Sequence, residues 1–237
     1  MIAVQTAFKL GMNSLLSRIP GREWEILQAD LKAVDLDQRT VLFERHQALE
    51  YAYFLRRGCV SLTINFDDGF QADAGLVGSE GMVGVPLIYG IKIDVVTAIV
   101  QSPSEALRLP AAAFLKAMTQ LPEFSRLLLR YGEAIRTQAL QLAACNVHHG
   151  LEARLARCLL TLRDRYRSND LPITHEGLAT LLSAHRPSVS VAAKRLQEAG
   201  LIRYSAGQMM ITDYPGLERS ACECFGMMRD RTQALLG

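Results

Sequence analysis

Between Leu171 and Thr212 two short apolar periodicities, a three-residue break and a pair of strand-like runs follow one another without slack, an order few folds accommodate. Thr174 is a good N-cap, and Ile173 and Leu178 stand at N′ and N4, where a hydrophobic staple fixes the chain's entry into a helix. Gly177 at N3 cannot complete a capping box. The helix is expected to run to about Leu182 and to bury Leu178, Leu181 and Leu182, with small Ala179 admitting a close neighbour. Ser183-Ala184-His185 then makes a tight turn. Pro187 fits the first turn of a second helix starting near Arg186, where no intrahelical N–H bond is lost. Val189, Ala193 and Leu196 fall at i, i+4 and i+7 as its core stripe, so Arg186, Ser190, Val191, Lys194 and Gln197 face away. Gly200 is a natural stop, and Leu201 to Thr212 reads as two short strands around Gly207. Helix, tight turn, helix and hairpin make a winged helix-turn-helix. In such a unit the second helix enters the major groove of DNA, while the first helix's N-terminus and the wing meet phosphates.

The whole chain has 237 residues, 49% hydrophobic and 21% charged, which points to a globular protein of more than one domain. Residues 1–149 carry 14 Lys+Arg against 15 Asp+Glu, and residues 150–237 carry 12 against 9, so the cationic bias sits at the C-terminal end. No stretch is apolar enough to span a membrane, and Met1-Ile-Ala-Val-Gln5 lacks the pattern of a signal peptide, so a cytoplasmic location is expected. Leu15 to Ala33 spaces Trp24, Leu27 and Leu31 as one apolar stripe of a short helix. From Thr40 to Leu109 the texture is strand-like: Tyr51 to Leu55, Val60 to Phe66 and Asp94 to Val100 are separated by glycine-rich turns. Such strands predict a small antiparallel barrel or β-roll.

At Pro110 the period changes. Ala111 to Thr119 predicts a short helix, and Glu123 to Cys145 a long one in which Leu128, Tyr131, Ile135, Gln138, Leu142 and Cys145 alternate at spacings of three and four. A long helix between two domains has little of its own chain to cover that stripe, so it reads as a dimer seam rather than as a face packed on its own barrel. Leu151 to Arg167 predicts a further helix with Leu155, Leu159 and Leu162 inward. The expected architecture is α+β, with residues 1–120 a β-roll with flanking helices, 121–147 a dimerisation helix and 148–237 the winged helix-turn-helix.

The β-roll, long helix and winged helix, in this order, resemble the Crp/Fnr family of bacterial transcription regulators over nearly the whole chain. The resemblance implies a homodimer bound to double-stranded DNA, with a small-molecule effector at the roll and RNA polymerase as a further partner. Arg186 then occupies a base-reading position suited to guanine O6 and N7. Thr174, Ser188 and Lys194 occupy phosphate-facing positions, Ser190 and Val191 lie on the outward face, and Arg203 on the wing adds charge for backbone contact. Many members have an acidic residue after that arginine and a second arginine further on, where this chain has Pro187 and Val191, and Ser183 replaces the usual turn glycine. A different operator follows, with Val191 placed to touch a thymine methyl. The alternative is an effector-binding or interaction module whose helix-turn-helix no longer binds DNA.

By the same resemblance the effector pocket is expected around Gly84, Val85, Val96 and Thr97. Cyclic-nucleotide-binding members hold the ribose with a glutamate and the cyclic phosphate with an arginine, where Val85 and Val96 stand here, so cyclic AMP is not expected to bind in that mode. An Fnr-type iron–sulfur cluster needs clustered N-terminal cysteines, and the first here is Cys59. A haem could use a single axial ligand such as His46, Cys59 or Cys145, but nothing else points to one. The five cysteines read as reduced thiols. Cys222-Glu-Cys224 with His148-His149 could supply four zinc ligands, yet adjacent histidines at a helix end diverge by about 100°, so no metal and no cofactor is expected. A redox switch at Cys222 and Cys224 stays open. With His46 alone between Thr40 and Leu109, and no nucleophile elbow or phosphate loop, the chain is not expected to be an enzyme.

Overall fold

A computed structural model describes residues 12–205 and 207–236. The leaderless pattern read at Met1 to Gln5 lies outside them. Among the described residues no helix is long and apolar enough to cross a membrane. The described residues form two compact units: residues 12–62 with 76–133, and residues 63–75 with those of 134–235.

The first unit is built on short antiparallel strands: β1 (Lys32–Leu36), β2 (Val41–Phe43), β3 (Tyr51–Arg57), β4 (Val60–Asn65), β5 (Gln71–Val77), β6 (Met82–Val83), β7 (Thr97–Val100) and β8 (Ser104–Pro110), of which β4 and β5 run on into residues 63–75. They make two four-stranded sheets, ordered β1-β8-β3-β6 and β2-β7-β4-β5. The central pairing of β3 with β8 runs from Tyr51 opposite Pro110 to Arg57 opposite Glu105. Strands this short bury enough surface only by sharing one interior. Ala52, Phe54, Leu55, Val60, Val83, Ala98, Val100 and Leu109 supply it. Helices α1 (Gly21–Leu27), α2 (Ala111–Gln120) and the first half of α3 (Pro122–His148) belong to the same unit. Phe114 meets Phe124 edge-on at 5.6 Å, and Phe54 lies 6.4 Å from Phe124. The Glu23 carboxylate accepts from the Glu123 and Phe124 N–H groups, capping α3 from another helix. Buried Asn13 donates to the Leu55 and Gly81 carbonyls and accepts from the Leu15 and Leu16 N–H groups.

Two expectations change here. The helix read over Leu15 to Ala33 ends at Leu27, because Lys32 to Leu36 pairs as β1 with Arg108 to Ser104. The stripe read on α3 as a dimer seam also packs largely within its own chain. Leu128, Tyr131 and Leu142 are buried within their own chain, at 0%, 2% and 7% exposure, and Ile135 and Gln138 are half-buried. Tyr131 accepts from the Met82 N–H and donates to the Met82 carbonyl. The large apolar residues that α3 leaves exposed are Leu129, Leu140 and Val147, on the opposite face of the helix.

The second unit contains the rest of α3, α4 (Leu151–Tyr166), β9 (Asp170–Leu171), α5 (His175–Leu182), α6 (Arg186–Glu198), β10 (Ile202–Ser205), β11 (Gln208–Ile211), α7 (Tyr214–Ser220) and α8 (Cys224–Leu236). The three strands order as β10-β11-β9. Leu155, Leu159 and Leu162 of α4 form the core with Leu178, Leu182, Val189, Leu196 and Met209.

Candidate nucleic-acid interface

Thr174 caps α5 by accepting the Gly177 N–H at 3.1 Å, which leaves its own O–H free to donate. Ile173 and Leu178 are both buried beside it, as a staple requires. The turn is closed by Ser183, whose φ of +48° puts it in the left-handed region. Ala184 and Ser183 then send their N–H groups back to the Ala179 and Thr180 carbonyls. α6 begins at Arg186, with Pro187 in its first turn. Val189, Ala192, Ala193 and Leu196 are buried, so the opposite face holds Arg186, Ser188, Val191 and Lys194 in solvent. The structure brings these four together on one helix face, with Thr174 exposed at the start of α5 and Arg203 exposed on β10 of the wing.

Two residues read as outward have other work. Ser190 is half-buried, and its hydroxyl lies 3.0 Å from His175 Nδ1. Gln197 Oε1 accepts from the Tyr204 N–H at 2.8 Å, fixing the wing to α6. His175 is the residue that pattern reading missed. Its ring stacks on Tyr204 at 4.1 Å while its Nδ1 meets Ser190, so one side chain joins α5, α6 and the wing. Burial, followed by the charge of Arg186, holds its pKa below the ordinary histidine value, so the ring is neutral at pH 7. A histidine with no periodic partner leaves no sequence signal for such a role.

The guanidinium of Arg186 is loosely held. It pairs with Glu176, 3.7 Å away, and both side chains are mostly exposed. Lys194 pairs as weakly with Glu198 at 3.7 Å. Exposed pairs of this kind are worth about 0–1 kcal/mol, so both cations can be released to a phosphate or a base at little cost.

The residues expected at an effector pocket lie on different sheets. Gly84, with φ of +99°, follows β6 and opens a single 3-10 turn over Val85–Tyr89, while Val96 and Thr97 lie at the start of β7. Thr97 Oγ1 accepts from the Arg45 N–H at 3.2 Å. Asp94 accepts from the Val95 and Val96 N–H groups, at 2.7 and 3.3 Å. An acidic side chain thus holds the backbone donors beside the position where a cyclic phosphate would need a cation.

Fold and site together define a winged-helix, DNA-binding transcription regulator that carries a sensor-type β-roll. Residues 33–120 match the model of the cyclic nucleotide-binding domain and residues 153–220 that of the Crp-like helix-turn-helix domain. The chain belongs to the Crp/Fnr family of transcription regulators. It is 27% identical over 217 residues to the transcriptional regulatory protein btr of Bordetella pertussis, covering 85% of this chain and 86% of that one. It is also 27% identical over 173 residues to the global nitrogen regulator of a Nostoc species, covering 69% and 77%. FixK2 of Bradyrhizobium japonicum shares the fold with a TM-score of 0.71 at 14% identity, over 81% of this chain and 98% of that one.

Proposed function

We propose that the protein is a cytoplasmic, homodimeric regulator that reads a two-fold operator through the first turn of α6, with Arg186 as the base-reading residue. The observation that supports this most is the position of Arg186 at the exposed N-terminal end of a helix whose opposite face is wholly buried. Ser188, Lys194, Thr174 and Arg203 serve the phosphates, and Val191, 54% exposed, offers a methyl surface to thymine. Ser190 acts indirectly, by holding His175. The dimer forms along the exposed α3 stripe of Leu129, Leu140 and Val147, residues which recur at the heptad-like intervals of a helix seam. The roll answers to a ligand other than cyclic AMP, since Val85 and Val96 bring no carboxylate and no guanidinium. That ligand shifts the α3 pair and so the spacing of the two α6 helices, and contact with RNA polymerase completes regulation.

Selection of bound sequences from a random DNA pool, with the salt dependence of binding, tests the reading. A near-palindrome with half-sites about 34–36 Å apart is expected. Enrichment of nothing above non-specific affinity, with and without cell extract as a source of effector, would overturn it in favour of a module whose helix-turn-helix no longer reads DNA.

A further inference from the structure

The segment after α7 returns to the end of α3 and brings three cysteines and a histidine to one point. Cys145 lies in the last turn of α3. His149 follows it by four residues, just past the helix end, so both project on one side. Cys222 and Cys224 flank Glu223 where α8 begins. The three Sγ atoms and one ring nitrogen of His149 all lie within 4.8 Å of one another. Cys145 Sγ is 3.5 Å from Cys222 Sγ, and Cys224 Sγ is 3.7 Å from His149 Nδ1. A tetrahedral zinc ion, with Zn–S near 2.3 Å and Zn–N near 2.0 Å, spaces its ligand atoms roughly 3.5–3.8 Å apart. The Cys145–Cys222 and Cys224–His149 distances match edges of such a tetrahedron, and no other pair of the four atoms exceeds those edges by more than about 1.3 Å.

The surroundings match as well. His149 Nε2 lies 3.1 Å from a carboxylate oxygen of Glu223, an arrangement that puts the ring proton on Nε2 and leaves the Nδ1 lone pair for a metal. Gln141 Nε2 donates to Cys224 Sγ at 3.1 Å, the kind of outer hydrogen bond that steadies a thiolate ligand. The cysteines are buried at 1%, 6% and 1% exposure, with Ala153 and Met228 packed around them, so the site is closed to substrate. His148 takes no part: it is exposed, and its ring plane stands 79° from that of His149. Divergence of the two histidines is thus no obstacle to a metal. One histidine suffices once Cys145 supplies the fourth ligand.

We propose that Cys145, His149, Cys222 and Cys224 form a structural Cys3His zinc site that ties the C-terminal segment to the end of the long helix. Three soft thiolates and an imidazole in a closed tetrahedron select zinc over hard cations such as magnesium or calcium. An iron–sulfur cluster would hold its ligands farther apart than a single ion, because several irons and sulfides would stand between them. On binding, the metal displaces the three thiol protons to solvent, and no electron is transferred.

The test is metal analysis of the full chain, purified under reducing conditions with any histidine tag removed, followed by anaerobic titration of the metal-free protein with Co2+. One zinc per chain is expected, together with the visible absorption of tetrahedral cobalt and a sulfur-to-cobalt charge-transfer band. His149→Ala and Cys145→Ser should lose the metal to a chelator that leaves the parent loaded, whereas Cys59→Ser and Cys158→Ser should retain it. Parent protein that takes up neither zinc nor cobalt when fully reduced would overturn the proposal. So would a Cys145–Cys222 disulfide in place of metal in protein isolated anaerobically. The cobalt spectrum of the parent decides the matter even if a cysteine variant fails to fold.

Discussion

Replacing Arg186 with alanine separates base reading from simple charge attraction. The side chain is 68% exposed and held by Glu176 at 3.7 Å, a pair worth under about 1 kcal/mol, so little is spent in turning it to the groove. A bidentate contact to guanine contributes about 1–3 kcal/mol of discrimination. Arg186→Ala should therefore weaken binding to the selected operator about 5- to 150-fold, and binding to a scrambled duplex by no more than the loss of one charge. Lys194→Ala should weaken both duplexes alike and lower the salt slope by about one unit. Glu176→Gln should strengthen both by up to about fivefold, because it frees Arg186 and removes an anion from a surface that meets phosphate. Fluorescence anisotropy on the two duplexes, between about 50 and 200 mM salt, measures all three effects. Equal losses on operator and scrambled DNA for Arg186→Ala would refute the base-reading assignment.

Leu140→Glu puts a charge on an apolar stripe that is 59% exposed, and should yield monomers in analytical ultracentrifugation with at least tenfold weaker binding to the palindrome but not to one half-site. A Cβ at Gly81 would run into the Tyr131 hydroxyl, which both donates to and accepts from Met82, so Gly81→Ala should cost about 2–4 kcal/mol in urea unfolding. Gly21→Ala, with nothing within 4 Å, is its neutral control. Ser183 lies at φ +48° and its Oγ accepts from the Asp73 N–H, so Ser183→Gly and Ser183→Ala both lose that bond while only alanine keeps the left-handed strain. Glycine should be the more stable by about 1 kcal/mol in the same assay. Desolvation pushes the Asp73 carboxyl up to about 7, so the folded chain holds a proton there that the unfolded chain releases above about pH 4. Stability should fall as pH rises from about 4 to 7, by at most about 1.4 kcal/mol per unit, and Asp73→Asn should flatten that slope in denaturant titrations.

The helix-turn-helix was legible because what specifies it is local. Thr174, the Ile173–Leu178 staple, Pro187 and the Val189–Ala193–Leu196 stripe each state their role within a few residues of sequence, and each takes the expected place. The strands of the roll were legible in kind for the same reason. Long-range contacts left no comparable mark. Asn13 bonds to backbone groups 42 and 68 residues away, Glu23 caps a helix a hundred residues on, and β1 takes its register from β8, which cuts short a helix that period alone would have continued. The stripe on α3 was ambiguous in sequence for another reason. A helix with apolar residues on two opposite faces shows heptad-like spacing on each. Only the fold reveals that Leu128, Tyr131 and Leu142 face their own chain while Leu129, Leu140 and Val147 do not. Cys145 falls in the same α3 stripe, so its spacing carries no sign of its nearness to His149.

The position of Cys145 also bears on how the proposed metal site and DNA binding are related. The Cys222 N–H reaches the Ala153 carbonyl at 3.4 Å, in the first turn of α4. The next residue, Arg154, sends its guanidinium to the Leu182 carbonyl at the end of α5. The thiol–imidazole cluster and the first helix of the DNA-binding pair thus share one turn of α4 as a support. None of these contacts touches Arg186, Ser188 or Val191 on the groove-facing side of α6. A metal that binds only the folded form adds RT ln(1 + [metal]/Kd) to its stability and leaves untouched every group that meets a base. Removing it should therefore lower the thermal midpoint of the DNA-binding unit without changing which operator is selected. A shift in operator preference on metal removal would instead require that the α4 turn set the orientation of α6 through Arg154 and α5, which would make the site a switch rather than a clasp.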